Sequence, residues 1–370
     1  MNIKKLRKME WWIPICAIIL CVIGLVALFS ASYDSGLDEF KKQAIWVGIS
    51  IGVMIAVMFI DYKILVKLSP ILYSISIILL IAVLFTEPVN GATSWFNIGD
   101  GLFSFQPAEM AKICVILFLA YIISIIQRKG RDEINRLPKL ALILLAIAVP
   151  LGLIIIEPDY GTAAAYMVAF ILMIFVAGID KKYIITAIAI VVIAVPITYN
   201  FLLPQHAKSR IETFLNPESD PRGAGYNVLQ SKLAIGSGQI TGMGILNGNQ
   251  TQLGYLYPKT TDFIFSVIGE EMGFIVAGGV ILLNVVMIVK SIQVAKGIKD
   301  EAGAYVAIGI AGIFLFHTLE NIGMTMGLLP ITGVPLLFVS YGGSSMLTSF
   351  ICVGILLNIS SQRKNGMFNK

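Results

Sequence analysis

Glu109 and Lys112 stand three residues apart inside an apolar run, in Gln106-Pro107-Ala108-Glu109-Met110-Ala111-Lys112. At helical spacing both side chains share one face, and Pro107 suits a first helical turn. Two readings compete. The pair either neutralises itself and holds a helix bundle together, or Lys112 faces an outer cavity and meets a phosphate while Glu109 orients it. Thr261-Asp262-Phe263-Ile264-Phe265 leads into another apolar run. There Asp262 either caps the helix or lies at a membrane-buried helix start, where a raised pKa suits a general base. Glu270 and Glu271 follow within the same run, a costly placement unless they are paired or face a cavity. Glu157-Pro158-Asp159-Tyr160-Gly161-Thr162 sets two carboxylates in a turn, although Pro, Asp and Gly make a turn in any protein.

These charges are conspicuous because the rest of the chain has few. Of 370 residues, 57% are hydrophobic and 13% charged, and the mean hydropathy is +0.85. Soluble domains carry about 25% charged residues, so a soluble enzyme, a disordered chain and a nucleic-acid module are excluded. The chain reads as an integral membrane protein. Apolar runs long enough to span a bilayer fall at 11–31, 44–60, 64–85, 107–126, 138–156, 162–179, 183–203, 263–289, 303–323 and 334–359. The first exceeds the 7–15 residues of a signal-peptide core and is read as an uncleaved helix. With the N-terminus inside, nineteen Lys and Arg lie on the cytoplasmic side and seven outside, Lys112 being within a span. That asymmetry predicts an all-α bundle of ten helices with both termini cytoplasmic.

Residues 204–262 form the one long outer loop of this single membrane domain and hold five of the seven outer cations, Lys208, Arg210, Arg222, Lys232 and Lys259. Such loops tend to carry function. Apolar residues Val228, Leu229, Leu233 and Ile235 beside Gln230 and Lys232 predict a short helix lying on the membrane surface. The basic cluster fits an anionic ligand at the outer face or lipid headgroups equally well. The four cysteines all lie in apolar runs and two histidines make no metal cluster, so neither disulfide nor zinc is expected. His317 reads as a helix–helix contact and His206 as a solvated loop residue. The glycines at 236, 238, 242 and 244 lack the strand–turn–helix setting of a phosphate loop.

Several segments, in order, resemble the SEDS family (shape, elongation, division and sporulation) of peptidoglycan glycosyltransferases. They include Gly91-Ala92-Thr93-Ser94-Trp95, Phe105-Gln106-Pro107-Ala108-Glu109 with Lys112, Pro158-Asp159-Tyr160-Gly161-Thr162 and Arg210-Ile211 with Phe214-Leu215-Asn216-Pro217. Asp220-Pro221, Gln230-Ser231-Lys232, Thr261-Asp262-Phe263-Ile264-Phe265, Gly269-Glu270-Glu271, Asn321-Ile322-Gly323-Met324, Pro330-Ile331-Thr332-Gly333 and Ser340-Tyr341-Gly342-Gly343-Ser344-Ser345 continue it. The stretch Gln230 to Gly238 is similar to the elongation-type members rather than the division-type ones. The chain departs from the family where a Pro-Glu-x-His run is usual, reading Tyr257-Pro258-Lys259-Thr260, and where Ser94 replaces an Arg before Trp95.

The resemblance implies that lipid II, a disaccharide-pentapeptide on undecaprenyl pyrophosphate, is polymerised into glycan strands at the outer face of the cytoplasmic membrane during elongation. It implies Asp262 as general base. Arg210 and Lys112 would stabilise the diphosphate, with Glu109 as partner of Lys112. Asp159, Trp95, Gln106, Lys259 and Ser344 would line the substrate site. A divalent cation, Mg or Mn, is left open. A class B penicillin-binding protein and other membrane proteins of the elongation complex are the implied partners, and no nucleic acid. Two other classes remain: a lipid II flippase, since buried charges and broken helices also serve transport, and a non-catalytic scaffold of the wall-synthesis complex.

Overall fold

Within hydrocarbon a backbone must satisfy its own N–H and C=O groups, which leaves the helix as the economical form for each apolar run. The computed structural model describes residues 6–87, 93–98, 103–202, 205–216 and 223–363. Ten of its helices are long and apolar enough to cross a membrane. They are α1 (Trp12–Ala31), α2 (Asp38–Phe59), α3 (Tyr62–Val83), α4 (Pro107–Gln127), α5 (Leu137–Ile156), α6 (Tyr160–Ala177) and α7 (Lys181–Ile197). After three short helices of the long loop, α8 (Gln205–Leu215), α9 (Ala224–Ser237) and α10 (Asn249–Gln252), come α11 (Ile264–Gly297), α12 (Glu301–Thr325) and α13 (Gly343–Ser361). A short hairpin precedes α4: β1 (Phe96–Ile98) pairs antiparallel with β2 (Phe103–Phe105), Phe96 opposite Phe105.

Helices α12 and α13 are the most deeply buried. The first lies against α4, α6 and α11, the second against α2. They carry the bundle's interior, while α2, α3 and α5 turn large aliphatic side chains outward, where lipid takes the place of a partner.

Two spanning helices begin elsewhere than the hydropathy reading places them. The α2 helix begins at Asp38, before the apolar run, because its first turn is polar and bears Asp38, Glu39, Lys41 and Lys42. The last spanning helix begins at Gly343, not at 334. Residues 330–342 are non-helical and are held by side chains from neighbouring helices. Gln43, almost fully buried, donates to the Ser340 carbonyl (3.0 Å) and accepts from the Gly342 N–H (3.1 Å). Irregular backbone at membrane depth persists only where protein groups satisfy it in this way.

The described residues of the long loop include the three short helices α8, α9 and α10. Helix α9 packs on the first half of α11, Ser231 sharing a 2.6 Å hydrogen bond with Ser266 and donating to the Thr325 carbonyl. Val228 and Ala234 are buried in this contact, while Leu229 and Leu233 stay exposed. Between α9 and α10 the chain enters a break in α11 at Gly273, whose φ of 73° needs a glycine. The N–H groups of Phe274 and Ile275 donate to Gln239 and Ile240, and those of Met243 and Gly244 donate to Glu270 and Glu271. The motif residues Gly91, Ala92, Pro217, Asp220 and Pro221, and the cation Arg222, lie outside the described residues.

Candidate active site

A cavity of about 650 Å³ opens among α2, the hairpin, the start of α4, the α5–α6 turn, α8, the 257–262 segment and the 332–345 segment. Six of the expected site residues line it: Asp262, Arg210, Asp159, Glu109, Trp95 and Gln106. They come from stretches up to 167 positions apart in sequence (Trp95 to Asp262) and converge because the spanning helices bring their ends together.

Asp262 lies one residue before Phe263, the N-terminal flanking residue of α11, and no side chain caps that helix. The carboxyl lies beside Gly333, where a Cβ would come 3.7 Å from its Oδ2. Burial pushes the Asp262 carboxyl above the ordinary carboxylate range, while a hydrogen bond with Thr261 and the charge of Arg210 pull the other way. A carboxylate raised in this manner is a better proton acceptor at neutral pH than an exposed one.

Gln106 and Asp159 form a unit. The Gln106 Nε2 donates to Asp159 Oδ2 (2.8 Å), and Asp159 Oδ1 caps α6 by accepting from the Thr162 N–H (3.0 Å). Ser344 stands behind the wall: its Oγ accepts from the Gln106 N–H (3.1 Å) and donates to the Ser104 carbonyl (3.4 Å). Its neighbours Gly343 and Ser345 line the cavity instead. Lys259 turns away and donates to the Thr251 carbonyl at 2.8 Å.

Lys112 is likewise not on the cavity wall. Both Lys112 and Glu109 are only 2% exposed. The Lys112 Nζ meets Glu109 Oε1 at 2.7 Å and His317 Nε2 at 3.1 Å. His317 Nδ1 lies 2.9 Å from the Pro335 carbonyl. A carbonyl only accepts and an ammonium only donates, so these partners assign a neutral His317 with the proton on Nδ1. Glu109 Oε2 has no partner among the described residues, and Glu109 is the member of the triad that lines the cavity. Glu270 and Glu271 do not reach the site. Glu270 accepts from Gln250, from the Thr251 N–H and from Thr251 Oγ1, and Glu271 from Ser30 and Gln252. They anchor the loop to α11.

Sequence reasoning missed Lys42, Trp46, Tyr257 and Tyr341, all on the wall. Lys42 and Trp46 sit four apart on α2, one above the other. The Trp46 indole lies directly on Gly343, where any Cβ would overlap the ring. The signal for Lys42 was available only from the helical phase of α2's first turn. Lys41, next to it, points elsewhere and pairs with exposed Asp38 at 3.5 Å. Among the described residues no three His, Cys, Asp or Glu side chains are grouped to hold a metal ion.

The fold and the cavity define a polytopic membrane protein with a charged chamber at one end of its bundle. A model of the FtsW, RodA and SpoVE proteins, described as "Cell cycle protein", matches residues 10–365, and the chain belongs to that family. It is 36% identical to the peptidoglycan glycosyltransferase MrdB of Escherichia coli K12, over 93% of this chain and 91% of that one. It is 30% identical to the peptidoglycan glycosyltransferase RodA of Treponema pallidum, over 98% and 100%. Stage V sporulation protein E of Bacillus subtilis is 35% identical over 94% and 95%. Among solved structures, a chain from work on the structural coordination of polymerization and crosslinking by a peptidoglycan synthase complex matches with a TM-score of 0.82. Its identity is 26%, and the match covers 97% of this chain and 99% of that one. RodA of Thermus thermophilus, at 24% identity and a TM-score of 0.71, shares the fold over 97% and 98%.

Proposed function

We propose that this chain is a peptidoglycan glycosyltransferase that polymerises lipid II, and that the cavity is where the sugars react. The observation that carries the reading is one chamber lined by both Asp262 and the cations Arg210 and Lys42. The acceptor's GlcNAc 4-hydroxyl attacks the donor's MurNAc anomeric carbon. As that C–O bond forms, the hydroxyl proton passes to Asp262. The anomeric carbon's bond to the diphosphate oxygen breaks, and undecaprenyl pyrophosphate leaves with the electron pair. Transfer of this kind needs a base on the hydroxyl and fixed positive charge on the leaving group. Arg210 and Lys42 supply that charge by contact. Lys112, held behind the wall by Glu109 and His317, acts on the site through Glu109 instead of touching phosphate. Trp95, Gln106 and Asp159 shape the floor.

The positive-inside bias supports cytoplasmic termini and a cavity at the outer face, where lipid II's tail lies between helices and its sugars stand above them. Relatives named RodA and MrdB support a role in elongation. The likeness to a chain of a complex that couples polymerization to crosslinking supports a class B penicillin-binding protein as partner. The test is glycan polymer formed from purified lipid II by the purified chain, with and without that partner. In parallel, lipid II movement across proteoliposomes is followed. Polymer without net movement supports the transferase; movement without polymer under either condition replaces it with a flippase.

A further inference from the structure

We infer that Asn321 is a positioning residue for the proposed base Asp262, an assignment that rests on the glycosyltransferase reading above. Asn321 lies on α12, is fully buried, and has no part in the mechanism as derived so far. Its Nδ2 donates two hydrogen bonds, one to the backbone carbonyl of Asp262 (3.0 Å) and one to that of Val334 (2.9 Å). Both partners are acceptors only, so the amide orientation is fixed by chemistry and both Nδ2 hydrogens are used. Its Oδ1 finds no partner among the described residues.

The two carbonyls belong to the two neighbouring segments, 257–262 and 332–345, that line the chamber. Asp262 begins the approach to α11, and Val334 is next to Gly333, the residue the Asp262 carboxyl lies beside. Asn321 thus ties the segment that carries the base to the segment that carries Gly333. It does not act alone. Ser340 Oγ donates to the Thr261 carbonyl (2.7 Å), and the Tyr341 N–H donates to the Thr260 carbonyl (3.0 Å). Three consecutive carbonyls, at 260, 261 and 262, are each held by a different donor. One turn away on α12, His317 holds the Pro335 carbonyl while binding Lys112. The same face of α12 therefore fixes both the base and the Lys112–Glu109 pair. Displacing a reacting group by about 1 Å can cost a hundredfold in rate.

Asn321→Asp is nearly isosteric but sets acceptor oxygens against two acceptor carbonyls, so it releases Asp262 without opening a cavity. Lipid II polymerisation by the full chain with its class B partner is followed for wild type, Asn321→Asp, Asn321→Ala and Asp262→Asn. Asn284→Ala serves as control, since that amide is buried between α11 and α12 and away from the chamber. The expected result is a kcat lowered at least about tenfold in both Asn321 variants. KM for lipid II stays within about twofold and the melting temperature stays near that of Asn284→Ala, whose kcat is unchanged. A folded Asn321→Asp with wild-type kcat overturns the assignment. So does a loss shared between kcat and KM, or failure of both Asn321 variants to fold, since either marks a purely structural residue. If Asp262→Asn keeps wild-type activity, the base reading itself fails; if it is inactive while Asn321→Asp is fully active, only the positioning role falls.

Discussion

Lys112 and Glu109 form a 2.7 Å ion pair within the membrane-spanning part of α4, and His317 of α12 closes it from the other side. The pair is buried and hydrogen-bonded, with Glu109 on the cavity lining and Lys112 behind it. Its attraction offsets the desolvation of two charges only while both partners remain. Lys112→Met leaves an unpaired carboxylate and costs about 3–5 kcal/mol. Lys112→Met with Glu109→Gln removes both charges and recovers much of that loss. Melting temperatures of the purified single and double variants check this, and additive losses would contradict it.

Lys41 and Lys42 are both exposed neighbours on α2, but they meet different groups. Lys41 pairs with Asp38, whereas Lys42 lines the chamber beside Trp46. Loss of one charge-assisted contact is worth about 1.5–3 kcal/mol, so Lys42→Ala lowers kcat/KM for lipid II at least about tenfold. Lys41→Ala stays within about twofold, because an exposed ion pair contributes little. Equal losses would show that bulk charge matters and position does not.

Glu157 is fully buried in the turn between α5 and α6, and neither carboxyl oxygen has a partner among the described residues. Burial, with the charge of Asp159 adding to it and Ser94 pulling the other way, raises its pKa from 4.5 to about 8. In the unfolded chain it titrates near the ordinary glutamate value, so between pH 4.5 and 8 the folded protein holds the extra proton. Stability from this group is full below pH 4.5 and lost as pH rises through 8. Glu157→Gln keeps the neutral form at all pH. The variant melts higher than wild type at pH 8.5, and the difference shrinks below pH 5. A difference independent of pH would contradict the assignment.

Much of this was legible in the sequence, because hydropathy and charge asymmetry report the environment of whole segments. All ten spans are present, and Asp262, Arg210, Asp159, Glu109, Trp95 and Gln106 meet in one chamber. What was not legible depends on orientation. The spacing of Lys112 to Glu109 left a bundle-holding pair and a phosphate ligand both open, and His317, 205 residues away, binds the ammonium inside the bundle. Ser344 lies one residue from the wall, a matter of helical phase. Residues 334–342 are apolar enough for a helix; Gln43, Ser340 and Asn321 give that backbone its partners in another form. Lys42 was hidden because a polar first turn looks like loop.

The central claim is that Asp262 takes the proton from the acceptor hydroxyl. It is tested most directly by the pH–rate profile of lipid II polymerisation for wild type and Asp262→Asn, with the class B partner present. Wild-type kcat/KM should fall as pH drops through a pKa above the ordinary aspartate value, the direction burial gives this carboxyl. Asp262→Asn should bind lipid II, make no polymer at any pH, and melt no lower than wild type, since it removes a charge that burial disfavours. Polymer from folded Asp262→Asn at a rate near wild type, with the same acid limb, would show that another group is the base.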